Sequence, residues 1–385
     1  MSKVAFITGG NGITGSAILE HLVKHTTSSE WRKIIVTSYS AFVPLVTNDP
    51  RIHFVALDFT QTAEVLIPQM REAGCGEVTH AYFSSYVHRD GFAELAAANT
   101  ALFENFLWAL QAVTTDGENL LANVTLQTGG KYYNVHAAPG PTPCREESPR
   151  PTVGAQDGNF YYPQEDFLAA EQKGKRWTWN VIRPTGIIGC TGKPNGMNLA
   201  LTYAVYFLIC AELDIEARMP TNLAYWNETE DQSDAALIAE QTIWASTTPG
   251  AANEAFNCVN GDVFRYRFTW PRLAAFFGAR ASSDQHFEKP RPSEEGALQQ
   301  EFSVVDWLRD KQPVWERLCD KAGVPEAKST FRFVTPFIMD WAFRRSWSAT
   351  LSMTKARKLG WTGYVDSYES NVRVFERLRE LKQIP

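Results

Sequence analysis

The sequence holds no basic run longer than short clusters such as Lys173-Gly174-Lys175-Arg176. With a formal net charge of −6, it offers no footing for nucleic acid or another polyanion. It has no paired cysteine spacing. Cys75, Cys144, Cys190, Cys210, Cys258 and Cys319 stand singly, so neither a zinc site nor a disulfide framework is indicated, and reduced thiols in a cytosol are the simpler reading. No apolar run is long enough for a membrane span: the most apolar stretch, residues 199–211, covers about 13 positions where roughly 20 are needed. Fixed-period repeats and low-complexity tracts are absent. The start shows no signal-peptide pattern, because strand-forming residues and a glycine loop begin at Lys3. What remains is a chain of 385 residues, 44% hydrophobic, enough for one large core or two joined ones.

What is present begins at that loop. Residues 3–8 form an apolar run rich in β-formers, followed by Gly9-Gly10-Asn11-Gly12-Ile13-Thr14-Gly15 and a helix-like segment to about residue 24. Glycines at 9, 12 and 15 between a first strand and a first helix let backbone approach a pyrophosphate, and the helix N-terminus adds its positive end. Gly9, Asn11, Gly12 and Ile13 are therefore expected to cradle a dinucleotide, the bland alternative being a tight turn without ligand. Further strands are predicted over 33–37, 52–57, 78–84, 122–128 and 177–182, with a long helix over 92–113. Strands alternating with helices imply an α/β fold: a doubly wound parallel (Rossmann) sheet with its ligand at the strand C-termini.

The end of the second strand normally declares the dinucleotide. An acidic residue there binds the ribose hydroxyls of NAD, and a nearby arginine accepts the 2′-phosphate of NADP. Here Thr37-Ser38-Tyr39-Ser40 has neither. Hydroxyls at Ser38 and Ser40 can hold a phosphate and nothing repels one, so NADP(H) is expected over NAD(H). Asp58, ending the third strand, is placed either to take the adenine amino group or to cap a helix. After the fourth strand, Tyr86 and His88 are candidates for a substrate pocket, with a solvated loop histidine as the plainer alternative. Asn99 in the next helix either bonds backbone near the site or is satisfied on its own helix face.

Residues 126–167 carry the chemistry. The strand over 122–128 runs into Gly129-Gly130, which sets Lys131 at a turn; beyond a proline-rich loop, Tyr161 stands in the first turn of a helix. An ammonium beside a phenol favours phenolate and lowers the phenol's pKa, so the tyrosine becomes a hydrogen-bond donor or acid at neutral pH.

These motifs resemble those of the progesterone 5β-reductase/iridoid synthase-like family of extended short-chain dehydrogenases/reductases. The superfamily usually carries a lysine four residues after its catalytic tyrosine, but here Glu165 and Asp166 follow Tyr161 and Tyr162 at that spacing. Leu126-Gln127-Thr128-Gly129-x-Lys131-x-Tyr133 and Asn159-Phe160-Tyr161-Tyr162-x-x-Glu165-Asp166 are instead similar to the family's arrangement, in which the lysine comes first. The likeness continues through Arg183-Pro184-x-x-Ile187-x-Gly189, Ser233-Asp234-Ala235-x-Leu237-Ile238-Ala239-Glu240 and Asn253-Glu254-Ala255-Phe256-Asn257-Cys258. The resemblance implies Lys131 and Tyr161 as the catalytic pair, Lys131, Pro184 and Ile187 beside the nicotinamide, and NADPH-dependent reduction of activated C=C bonds. Two departures stand out. The arginine after the second strand is missing, and the family's Gly-Pro-Phe after the lysine is replaced by Val135-His136-Ala137, which opens space at Ala137.

Dinucleotide binding is assigned to residues 1–190, completed by about 230–264. Residues 191–229 and 265–385 are assigned to a smaller, mostly helical C-terminal substrate-binding region. There 199–213 is predicted as an apolar helix with Tyr203, Tyr206 and Phe207, most simply core, with Tyr203 also a candidate for the substrate-cavity wall, and 257–263 as a strand returning to the sheet. A helix is predicted to open at 268, a polar surface loop over 282–299, and aromatic-rich helices over 306–318 and 335–347. The expected activity is hydride addition to the β-carbon of an enone or enal in a bulky, largely apolar small molecule, with secondary metabolism as one setting for it. A carbonyl reductase, a redox-neutral isomerase or cyclase, and a dinucleotide-sensing protein are the alternatives. No metal, nucleic acid or membrane partner is expected, and a homodimer is left open.

Overall fold

The computed structural model describes residues 2–115, 120–152, 159–294 and 296–385. Part of the proline-rich loop (153–158) and position 295 of the 282–299 stretch lie outside the described residues. Seven strands form one sheet: β1 (Lys3–Ile7), β2 (Trp31–Ser38), β3 (Ile52–Ala56), β4 (His80–Phe83), β5 (Asn123–Gln127), β6 (Thr178–Pro184) and, after two short ones, β9 (Glu254–Cys258). Their order is β3-β2-β1-β4-β5-β6-β9, every pairing parallel. The short strands β7 (Ile187–Ile188) and β8 (Ser233–Asp234) pair separately. The expected doubly wound Rossmann sheet is what forms, and its order reverses between β1 and β4, where such sheets open a crevice for ligand.

Alternation along β1 shows why both faces are covered. Val4 and Phe6 join the core beneath α2 (Ala63–Glu72) and α3 (Phe92–Thr115), where the Phe6 and Phe106 rings stack at 6.0 Å. Ala5 and Ile7 point the other way, onto α1 (Ile13–His25). The helix α4 (Tyr161–Gln172) lies on the α3 side, and α7 (Ala235–Thr247) beside α1.

The C-terminal half has its own core around α5 (Leu199–Glu212), whose residues from Leu199 to Cys210 are all buried. A helix apolar all round must be enclosed by others. Here α8 (Tyr266–Phe276), α10 (Gln312–Lys321), α11 (Pro336–Phe343) and α13 (Ser367–Glu380) enclose it, bringing Trp270, Trp315, Phe343 and Phe375. The short helices α6 (Leu223–Asn227), α9 (Val304–Leu308) and α12 (Thr354–Lys358) complete the set.

Four expectations shift. The strand expected over 257–263 is β9, three residues earlier, so its hydrophobic Ala255 and Phe256 pair with β6. The helix opening at 268 starts at Tyr266 and carries Pro271 inside. The helix expected over 306–318 is two, α9 and α10, because Pro313 has no N–H to continue a helix and sits instead in the first turn of a new one. The helix expected over 335–347 ends at Phe343.

Candidate active site

One cleft of about 1070 Å³ runs along the C-terminal edge of the sheet. Its dinucleotide end is built by backbone. Gly9 takes a φ of +67°, and a Cβ there would come within 3.0 Å of the Ser84 carbonyl oxygen, so a side chain is excluded on both counts. Gly12 caps α1 without a side-chain hydrogen bond, which leaves the helix's opening amides to an anion. Asn11 fixes the loop after β2: its amide donates to Ser38 Oγ at 3.0 Å, Ser40 Oγ at 3.0 Å and the Ala41 carbonyl at 3.0 Å, and its oxygen accepts from Val43 N at 3.0 Å. Tyr39 lines the mouth of the cleft, 81% exposed. These residues fit a dinucleotide: a bare glycine turn, open helix amides and a flat ring at the mouth.

Of the residues proposed from sequence, Gly9, Asn11, Gly12, Ile13, Ser38, Ser40, Asp58, Tyr86, His88, Lys131, Tyr161 and Ile187 all line this cleft. Asp58 is not a helix cap. Its carboxylate accepts from Thr60 N at 3.0 Å and Thr60 Oγ1 at 2.7 Å, and Thr62 takes the N-cap of α2. Pro184 ends β6 behind the lining, and the residues after it, Thr185 to Ile187, face the cleft. Asn99 is buried and braces the loop after β4, accepting from Val87 N at 3.0 Å and donating to Val87 O at 2.8 Å.

The lysine and the tyrosine line the same cleft, but not with the expected electrostatics. Gly130–Tyr133 is a 3-10 turn directly after β5, and Tyr161 opens α4. The Asn159 amide donates to Lys131 O at 3.0 Å and its oxygen accepts from Tyr161 N at 3.2 Å, tying the two segments together. The Lys131 ammonium lies 5.6 Å from the centre of the Phe160 ring, and the Phe160 and Tyr161 rings meet edge to face at 4.8 Å. Among the described residues neither the ammonium nor the Tyr161 hydroxyl has a hydrogen-bond partner. Burial, with Tyr86 and Glu165 nearby, pushes the Tyr161 phenol above its ordinary value, and burial pulls the Lys131 ammonium below its own. The expectation that Lys131 holds the phenol down is corrected: the groups acting on it are burial, Tyr86 and Glu165, all of which raise it, so Tyr161 is a neutral O–H donor.

Neighbouring groups are committed elsewhere. Tyr162 donates its hydroxyl to Tyr132 O at 2.6 Å. Glu165, at the superfamily's usual lysine spacing, pairs with Arg183 at 2.7 Å, and Asp166 pairs with Arg150 at 2.7 Å. The Arg183 guanidinium lies flat over Tyr132, 3.4 Å from its ring centre, and donates to Tyr133 Oη at 3.2 Å. An arginine thus packs against the turn and pairs with the glutamate that stands at the superfamily's lysine spacing.

Two pocket assignments do not hold. Ala137 is exposed and outside the cleft, because Asn134 in the left-handed region (φ 58°) turns the chain so that Val135 and His136 face inward. Tyr203 is fully buried in the α5 core, its hydroxyl 3.2 Å from that of Tyr266, and only Tyr266 reaches the cleft. Sequence reasoning also missed several wall residues. His136 packs against Trp341 at 5.7 Å between ring centres and is pushed down to about 4 by burial and by Lys131, Arg345 and Arg344. Glu230 pairs with Arg345 at 3.0 Å, and Arg345 donates to Tyr225 Oη at 3.0 Å. Asp231 accepts from Leu351 N at 2.7 Å, with burial holding its carboxyl well above the usual range. Glu230, Asp231 and Arg345 come from segments remote from Lys131 in the chain, so no spacing betrays them, whereas His136 lies in the Val135-His136-Ala137 segment whose inward side was assigned to Ala137.

The family description "PRISE-like Rossmann-fold domain" matches residues 5–385. The chain belongs to this family. It is thereby an oxidoreductase of the extended short-chain dehydrogenase/reductase kind, in the progesterone 5β-reductase/iridoid synthase-like branch that its motifs resemble. The short chain dehydrogenase gsfE of Penicillium aethiopicum is 54% identical over the full length of both chains. The (S)-8-oxocitronellyl enol synthase ISY1 of Nepeta cataria is 30% identical over 100% of this chain and 93% of its own length. Among solved structures, a UDP-glucose 4-epimerase of Thermotoga maritima superposes with a TM-score of 0.63 at 14% identity, covering 98% of this chain and 99% of that one. At that identity the likeness is one of fold.

Proposed function

We propose that this PRISE-like chain is an NADPH-dependent reductase adding hydride to the β-carbon of a conjugated enone or enal. The carrying observation is the pair Lys131 and Tyr161: two polar groups without partners among the described residues, on the cleft that the glycine turn opens. The dinucleotide, when bound, supplies the hydride. As the β-carbon is reduced, negative charge develops on the substrate's carbonyl oxygen. Tyr161, kept neutral by burial, donates its hydroxyl hydrogen to that oxygen. Lys131 contributes an unpaired positive field beside it. The name of the 30%-identical relative, an enol synthase, agrees with a site that stabilises an enol or enolate.

The 191–229 and 265–385 segments supply the substrate end: Tyr225, Tyr266, Phe333, Trp341 and Phe343 give broad apolar walls. Glu230, Asp231 and Arg345 add a polar patch to what was expected to be a largely apolar pocket. Six free thiols suit a reducing compartment such as the cytosol. Incubating the protein with NADPH deuterated at the transferring position and a panel of enones, then locating the label by NMR, tests the reading. Deuterium at the β-carbon is expected; label on the carbinol carbon would make it a carbonyl reductase, and no transfer to any acceptor would remove the reductase reading.

A further inference from the structure

The loop after β2 lacks the arginine that would clamp a 2′-phosphate, yet a cation reaches it from elsewhere. Residues 191–196, after β7, touch this loop at two places and the glycine turn after β1 at a third. Asn195 donates its amide to the Asn11 carbonyl at 2.9 Å. A Cβ on Gly192 would fall 2.1 Å from the Val43 carbonyl oxygen, so the two backbones are in contact. The Lys193 ammonium lies 3.4 Å from the Ala41 carbonyl, directly after Ser40. That contact is long and occupies one of the ammonium's three donors. Among the described residues Lys193 makes no ion pair, so its charge is uncompensated.

Among the described residues, four lysine and arginine side chains line the cleft: Arg89, Lys131, Lys193 and Arg345. Lys131 belongs to the reacting end, and Arg345 is paired with Glu230. Arg89 donates to the carbonyl of His88, whose ring packs on Phe337 of α11. Only Lys193 stands over the end of β2, where the adenosine ribose of a dinucleotide lies in this fold.

We propose that Lys193 supplies the cation for the 2′-phosphate of NADP(H), with Ser38 and Ser40 as hydroxyl donors, replacing the absent arginine from a different loop. This rests on the dinucleotide reading above and assigns its phosphate specificity. An ammonium is a point charge and cannot make an arginine's bidentate fork, so discrimination should be real but moderate. The Asn195 and Gly192 contacts give the loop a fixed seat, so the cation is held in place before the nucleotide arrives.

The test is calorimetric binding of 2′,5′-ADP and 5′-AMP to the full-length protein, wild type, Lys193→Ala and Lys193→Arg. These fragments need no turnover. A charge-assisted contact predicts that Lys193→Ala weakens 2′,5′-ADP by about tenfold to a hundredfold and leaves 5′-AMP within about twofold. Lys193→Arg should keep the preference. If Lys193→Ala weakens both ligands equally, the residue only seats the loop and the assignment is overturned. If the preference survives in Lys193→Ala, another group holds the phosphate and the assignment is likewise overturned. If wild type binds 2′,5′-ADP no better than 5′-AMP, the NADP(H) reading itself fails, an outcome distinct from the other two.

Discussion

The two ends of the cleft are built on different principles. At the dinucleotide end most of the ligand-facing groups are backbone amides, short hydroxyls and a glycine turn from the first two β-α units, tied together by one asparagine, Asn11, with Lys193 reaching in from the loop after β7. At the substrate end the walls are large side chains gathered from four separate stretches: 131–136, 225–232, Tyr266 and 333–345. A backbone-built site depends on few side chains and changes little when one is replaced. A side-chain-built site can be retuned one residue at a time, which is how one fold carries different specificities. Between the two ends sits the Lys131 turn, and its rigidity depends on Arg183 beneath it.

The sharpest way to break this comparison is to remove that support. Arg183→Met leaves Glu165 buried without its partner and should cost about 3–5 kcal/mol of stability, read by denaturant unfolding. A milder loss would mean that the turn is held by its own Asn159 and Tyr162 hydrogen bonds. Next comes the reacting group. Tyr161→Phe should lower turnover by about 10²–10³ with nucleotide affinity nearly unchanged, because the hydroxyl has no partner in the protein to lose. Tyr162→Phe should do the opposite, costing about 1 kcal/mol of stability through the lost bond to Tyr132 O and sparing turnover. Reversed results would reassign the catalytic tyrosine.

Lys131 separates stability from activity in a third way. Its folded pKa is depressed by burial, so the fold disfavours its charged form. That penalty is fully present below the folded pKa and disappears as pH rises through the ordinary lysine value of about 10.4. Lys131→Met should therefore be as stable as wild type or more so at neutral pH, with the difference shrinking as the medium becomes alkaline. Turnover should fall about 10² in the variant. In wild type it should fall as pH climbs through a value below the ordinary lysine range, a limb the variant lacks. Loss of stability at neutral pH would show that Lys131 has an unseen structural partner.

The same division marks what the sequence could tell. The glycine turn, Lys131 and Tyr161 were legible because each is fixed by a local rule: a turn at the end of a strand, a first helical turn, a motif. The parallel sheet followed from the alternation of strands and helices. Asn99 realises both of the readings left open for it: its amide bonds Val87 in the loop after β4 and also donates to Leu95 O one turn back on its own helix. What escaped was set by burial and long-range packing. No pattern announces that burial raises the Tyr161 phenol. Nor does one announce that Glu230 and Arg345 meet, with more than a hundred residues between them. Tyr203 was misplaced because an apolar helix has no sequence mark for which face meets the cavity. Lys193 was overlooked because its loop docks through a close backbone approach at Gly192 and the side-chain amide of Asn195, which no spacing marks.

The smallest expected effect tests where the substrate wall actually lies. The substitution of the family's aromatic segment by Val135-His136-Ala137 suggested that refilling position 137 would narrow the pocket. The chain's turn at Asn134 sends Ala137 outward and His136 inward, so the site to refill is 136. His136 is held near a pKa of about 4 and is neutral at any working pH, so replacing it with phenylalanine removes no charge. Its Nδ1 is buried without a partner among the described residues, so a ring without nitrogen loses no bond there. His136→Phe should therefore fold normally, and the larger ring should press on Trp341 and reduce the space beside Lys131. Turnover of a large polycyclic enone should drop about tenfold, the scale of an overpacked apolar contact, while cyclohexenone is spared. Ala137→Phe should leave both substrates unaffected. If instead Ala137→Phe discriminates by size and His136→Phe does not, the turn after Lys131 is oriented the other way in solution and the substrate end of the cleft is bounded by different residues.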